Sequence, residues 1–130
     1  MLLDDTRLND VTGTTLAAAI EVHRILGPGL LESTYLTCLE YELNDRRLGF
    51  VCQHPITLTY KTLRLDAIYR MDLMVEDLVI VEVKCVEQLA AVHKAQLLTY
   101  MRLTKKPAGL LINFHVARLM DGVKRVLNTY

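Results

Sequence analysis

Met71-Asp72-Leu73-Met74-Val75-Glu76-Asp77-Leu78-Val79-Ile80-Val81-Glu82-Val83-Lys84 is the stretch that decides the fold. Up to Val75, apolar residues alternate with polar ones, which argues a strand with one covered face. Leu78-Val79-Ile80-Val81 is an unbroken apolar run, which predicts a central strand buried on both faces. Glu82-Val83-Lys84 then sits at the end of that strand. Positions two apart on a strand share a face, so Glu82 and Lys84 point the same way. An acid and a lysine facing inward are costly unless paired or bound to something. Taken alone, the tripeptide reads as a salt bridge at a solvated strand end.

Asp72 changes that balance. It lies ten residues before Glu82, across a hairpin at Glu76-Asp77. A three-residue connection, 76–78, would set Asp72 directly opposite Glu82 on one face. An even-length connection would put them on opposite faces unless a bulge intervenes. Two facing carboxylates repel. A divalent cation between them removes the penalty, and oxygen ligands suit magnesium or manganese.

Upstream, Ile56, Leu58 and Tyr60 alternate with Thr57 and Thr59, and Leu65, Ala67, Tyr69, Met71, Leu73 and Val75 alternate with Asp66, Arg70 and Asp72. Both patterns predict strands. Before them come two helical patterns. Leu8, Val11, Leu16, Ala19, Ile20, Val22 and Leu26 approximate one helical face behind Asn9 as N-cap. Gly27-Pro28-Gly29 ends that helix. A second helix is predicted from about 30 to 44, with Leu31, Tyr35, Leu39 and Leu43 on one stripe and a frayed end at Asn44-Asp45-Arg46-Arg47. Glu32 lies on that core-facing stripe and is the third candidate acid, although an exposed first-turn Glu is also common.

Downstream, a third helix is predicted over about 88–103, ended by Lys105-Lys106-Pro107. Gln96 and Tyr100 are four apart on it and share a face, with His93 in the same row. Resting on the sheet, this helix brings that row near the acids. Gly109-Leu110-Leu111-Ile112-Asn113-Phe114 reads as another buried strand, and Val116 onward adds a short strand or a turn around Asp121-Gly122. The order is αα-βββ-α-β(β), and the crossover helix makes part of the sheet parallel.

The 130 residues correspond to one domain, 1–130, long enough to bury a core without staples. Lys+Arg and Asp+Glu both number 15, which counts against a strongly basic nucleic-acid binder. A local basic rim remains open to Arg46-Arg47, Lys61, Arg64, Arg70, Lys94, Arg102 and Lys105-Lys106. Cys38, Cys52 and Cys85 are odd in number and lack CxxC spacing, so reduced, mostly buried thiols are expected. No apolar run reaches the ~18 residues of a membrane span. The Met1-Leu2-Leu3-Asp4-Asp5 start carries acids where a signal peptide carries bases, so a cytoplasmic location is expected. Neither GxGxxG nor a P-loop occurs, which counts against a nucleotide-cofactor enzyme.

These features fall in the order of a known superfamily. Asp72…Glu82-Val83-Lys84 resembles the PD-(D/E)XK nuclease signature, with Met71 in place of its proline. Gln96-Leu97-Leu98-Thr99-Tyr100 resembles the QxxxY helix motif of its exonuclease branch. Gly29-Leu30-Leu31-Glu32-Ser33-Thr34-Tyr35 resembles the motif naming its GxxExxY family. The segment from Glu21-Val22-His23-Arg24 to Gly27-Pro28-Gly29 and the stretch Gly109 to Phe114 resemble that family too. The likeness covers nearly the whole chain. It implies an α/β (α+β) restriction-endonuclease-like fold and an Mg2+- or Mn2+-dependent nuclease acting on DNA. By resemblance, Asp72, Glu82 and the Val83 carbonyl would ligate the metal. Lys84 would position the attacking water and stabilise phosphorane charge. Glu32 would complete the acidic site, and Gln96 and Tyr100 would orient Lys84 or a phosphate. A catalytically silent module binding nucleic acid or a protein is the alternative, since fold alone does not imply activity. No acid is missing and the lysine is present, which favours the enzyme. Neutral charge and small size favour an oligomer or partner that supplies DNA-binding surface.

Overall fold

The computed structural model describes residues 5–128. The elements are α1 (Asp5–Leu26), α2 (Glu32–Asp45), β1 (Phe50–Tyr60), β2 (Leu63–Val75), β3 (Val79–Lys84), α3 (Ala91–Thr104), β4 (Ala108–Asn113), a short 3-10 turn (Leu119–Gly122) and β5 (Val123–Leu127). The five strands form one sheet in the order β1-β2-β3-β4-β5. Only β3 and β4, which flank the crossover helix α3, run parallel.

Parity along β3 sorts the two faces. Val79, Val81 and Val83 pack in the core shared with α1 and α2, alongside Leu110, Ile112 and Phe114. Ile80 packs on the other face with Leu97, Tyr100 and Met101 of α3 and Leu111 of β4. The sheet is thus sandwiched between two helices and one. Each fully buried apolar side chain of this size contributes about 1.5–3 kcal/mol, so Val79, Ile80 and Val81 anchor both layers.

Several local expectations need correction. Asn9 is no N-cap: α1 begins at Asp5, and the Asn9 amide oxygen instead accepts from Arg125 at 2.6 Å. A helix that must bury Leu8 needs backbone turns ahead of it. Ile20 lies off the buried stripe and is exposed. Leu31 is 73% exposed because α2 starts at Glu32, leaving Leu31 in extended backbone at the N-cap. Tyr35, Leu39 and Leu43 are the buried stripe. Of the cysteines, Cys52 is exposed and the other two half-buried, and all three are free.

The largest departure is in β2. Its alternation predicts one covered face along its length, yet Ile68 and Tyr69 are exposed. The reason is length. β1 and β2 run 11 and 13 residues, whereas β3 has 6 and pairs with β2 only from Leu73 to Val75. The far part of the β1–β2 hairpin therefore projects beyond the sheet as an arm.

Candidate active site

β2 joins β3 through residues 76–78, with Val75 paired to Val79 and Leu73 to Val81. Continuing that register one step sets Asp72 against Glu82. Glu76 and Asp77 adopt left-handed backbone (φ 52° and 55°), and Leu78 N–H donates to Val75 O at 2.9 Å. Positive φ at both central residues gives a hairpin turn compatible with the strands' twist. Neither residue is glycine, so the turn carries strain of order 1 kcal/mol per residue.

At Asp72 the sheet comes apart. Leu73 packs in the α1/α2 core and Met71 in the α3 core, so β2 turns over between them. Across on β1, Gln53 has φ 53° and the β1–β2 register omits the Gln53/Asp72 pair. Two main-chain N–H groups would be orphaned in such a gap, which buried backbone does not tolerate. The carboxylates satisfy them. Asp72 N–H donates to Glu82 Oε2, and Val83 N–H donates to Asp72 Oδ2, both at 2.9 Å. Each acid is thereby fixed by the other's strand.

Glu82 is only 4% exposed. Burial, and after it the negative charge of Asp72, push its carboxyl up to about 8, and a side-chain hydrogen bond with Asp72 adds to the rise. Lys84 pulls in the other direction. Lys84 is half-buried on the same strand face and makes no ion pair among the described residues. The simple salt bridge that the tripeptide suggests is not what holds it. Its charge also acts on Glu32, whose carboxyl is raised mainly by burial and further by Asp72.

Glu32 reaches this neighbourhood through the Gly27-Pro28-Gly29 loop. Gly27 and Gly29 have φ 67° and 106°, where a side chain would be strained. The Tyr35 hydroxyl donates to Gly27 O and accepts from Leu30 N–H at 3.1 Å. Its ring stacks on Phe114 with centroids 4.6 Å apart. Tyr35 is fully buried, so it shapes the loop that delivers Glu32 and does not face solvent. His23 instead ties α1 to the segment after β4: its Nε2 bonds Val116 O at 2.7 Å.

From the opposite layer, Tyr100 comes close enough for Glu82 and Asp72 to raise its hydroxyl pKa, after burial. Gln96 is half-buried one turn before it. His93 caps α3 by accepting from Ala90 N–H at 2.9 Å. Asn113, which pattern reasoning treated only as part of a strand, is buried and clamps the chain just past Lys84. Its side chain accepts from Val86 N–H at 3.1 Å and donates to Val86 O at 2.9 Å. Only its pairing with Lys84 across the parallel strands makes that role visible. The exposed Cys52 thiol is pushed up to about 11, by partial desolvation and then by a hydrogen bond with Glu40.

The donor set is hard oxygen, which fits magnesium or manganese. Asp72 and Glu82 each commit one oxygen to main chain. In extended backbone a residue's N–H and C=O point to the same side, so Val83 O faces the gap with Val83 N. No group of three or more His, Cys, Asp or Glu side chains among the described residues is already gathered as a metal cage. Glu32 comes from α2 near enough for its carboxyl to feel Asp72 and Lys84, without joining the carboxylate pair in such a cage.

A family model described as the PD-(D/E)XK nuclease superfamily matches residues 9–126. The mixed sheet with its flanking helices is consistent with the restriction-endonuclease-like fold of those enzymes, which generally use divalent metals. No curated protein and no solved structure matches significantly. No described helix is long and apolar enough to cross a membrane.

Proposed function

The chain belongs to the PD-(D/E)XK nuclease superfamily, and from that premise we propose that it is a divalent-metal-dependent nuclease hydrolysing phosphodiester bonds in DNA. The reading rests above all on the crossed pair Asp72 and Glu82, with Lys84 next to it and in no ion pair among the described residues. Two acids placed this way repel, an arrangement that a cation stabilises and an ordinary salt bridge does not explain.

Asp72, Glu82 and the Val83 carbonyl are the proposed cation ligands, with Glu32 completing the acidic site. When bound, magnesium or manganese offsets phosphate charge and polarises the phosphoryl oxygen. Lys84 holds the attacking water and faces the charge that builds on phosphorus, the placement from which a preorganised cation contributes most. The water oxygen forms the new bond to phosphorus as the bond to the leaving sugar oxygen breaks. Gln96 and Tyr100 orient Lys84 or a phosphate from α3. Membership of the GxxExxY branch is supported by Gly29, Glu32 and Tyr35, whose loop geometry gives that spacing a purpose. A cytoplasmic location, and a second copy or partner extending the DNA-binding surface, belong to the same proposal.

The test is cleavage of labelled single- and double-stranded DNA with manganese or EDTA, using the parent and Lys84→Ala. Cleavage with manganese, none with EDTA, and a loss of at least about a hundredfold in the folded variant are expected. If Lys84→Ala cleaves as fast as the parent, the activity lies elsewhere. Binding without cleavage by the parent favours the silent module.

A further inference from the structure

The projecting β1–β2 arm does not lie flat on α3. Between them is a cleft of about 320 Å3, lined by Leu58 and Tyr69 of the arm and by Gln96, Tyr100, Arg102 and Leu103 of α3, among others. That volume is within the ~300–1,000 Å3 range of small-molecule sites. A register shift between Ile56 and Leu58 distorts the arm at the cleft. The Tyr69 and Tyr100 rings stand 6.4 Å apart, inclined at 53°. Tyr100 links the cleft to the candidate active site: it lines the cleft, and its hydroxyl, raised first by burial, also feels the charges of Glu82 and Asp72.

The lining has a particular chemistry. Tyr69 is 43% exposed, an aromatic face left open to solvent. The side chains of Gln96 and Arg102 make no hydrogen bond or ion pair among the described residues. An uncommitted amide offers both a donor and an acceptor, as a base edge does. An uncommitted guanidinium suits a phosphate. Lys61, Arg64 and Arg70 against Asp66 make the arm net basic in a chain of zero net charge, which matches a polyanion and not an apolar peptide.

We propose that this cleft takes one unstacked nucleobase of the nucleic-acid substrate, with the base stacked on Tyr69, its edge met by Gln96 and the adjoining phosphate by Arg102. The proposal rests on the nuclease reading and deepens it: the substrate is single-stranded, or frayed, next to the bond that is cut. A base inside a duplex is stacked on both sides and cannot enter.

Binding in EDTA tests it without requiring cleavage. The probes are a fluorescein-labelled oligothymidylate and an abasic oligomer of the same length. The parent should bind the first roughly tenfold more tightly, within the range that base–aromatic stacking provides. Tyr69→Ala should erase the difference, and Tyr69→Phe, which keeps the ring, should preserve it. Tyr69 is partly exposed, so both variants should fold, and a melting curve checks this. Leu58→Ala gives a second, independent reading of the same wall. Equal binding of both oligomers by the parent, or no effect of Tyr69→Ala, overturns the cleft while leaving a nucleic-acid protein. If neither oligomer binds and the parent cleaves nothing, the nuclease reading fails and takes the cleft with it. A dimer broken by Tyr69→Ala, without base-dependent binding, overturns it in favour of a second copy in the cleft.

Discussion

Asp72 and Glu82 each hold the other's strand: the Asp72 N–H donates to the Glu82 carboxylate and the Val83 N–H, next to Glu82, donates to the Asp72 carboxylate. The same two groups therefore close a gap in the sheet and concentrate negative charge within it. Structural and functional demands on them conflict, and that conflict can be measured.

Asp72→Asn keeps an oxygen to accept from Val83 N–H but removes a charge. The metal-free variant should melt higher than the metal-free parent, a common trade at functional sites. Magnesium or manganese should raise the parent's melting temperature and leave the variant's almost unchanged. At ten times the dissociation constant, one bound ion adds roughly 1.4 kcal/mol, a rise of about 3–6 °C for a chain of this size. A variant that melts lower, with metal inert on both proteins, would make Asp72 an ordinary structural partner.

The raised Glu82 carboxyl gives the metal-free protein a pH signature. Its ordinary value is 4.5 and its folded value about 8. The folded state binds the proton more tightly than the unfolded state, so this group's favourable contribution is full below about pH 4.5. That contribution is lost as pH rises through about 8. The parent should therefore lose stability relative to Glu82→Gln between pH 5 and pH 8.5 in EDTA. Urea titrations at the two pH values read the difference directly. A parent-to-variant gap that does not change with pH would mean that Glu82 is already ionised when buried.

Gln96 is proposed to orient the reacting groups, so its loss should appear in rate. Gln96→Ala should lower the cleavage rate more than it lowers DNA affinity, as expected for an interaction made in the transition state. Single-turnover kinetics beside equilibrium binding separate the two, and equal losses would leave Gln96 only its contact with the base edge in the cleft.

Tyr35 makes two hydrogen bonds across the Gly27-Pro28-Gly29 loop from a fully buried position. Tyr35→Phe leaves Gly27 O and Leu30 N–H without that partner and should cost about 1–2 kcal/mol. A thermal melt should show the loss. A fall in activity with an unchanged melting curve would instead place the hydroxyl at the chemistry.

Much of this protein is legible along the chain. The apolar run Leu78 to Val81 and the two-residue parity of Glu82 and Lys84 depend on near neighbours, and burial imposes them wherever the strand lies, whereas the length of the turn before them, odd or even, is decided only by the register. The spacing of Gly29, Glu32 and Tyr35 is equally local, because the loop and the helix start need glycine and a buried anchor within one turn. What only the tertiary structure decided is the gap. β2 turns over between Met71 and Leu73, with left-handed Gln53 on the neighbouring strand and β3 ending its pairing at Leu73. The projecting arm follows from β3 being half the length of β2, and the Asn113 clamp from β4 lying parallel to Lys84. These relations join residues far apart in sequence, through backbone groups that look alike in every residue. Periodicity records which face a side chain prefers; where two strands part, and which carboxylate then takes the freed N–H, is set by contacts that exist only once the sheet has formed.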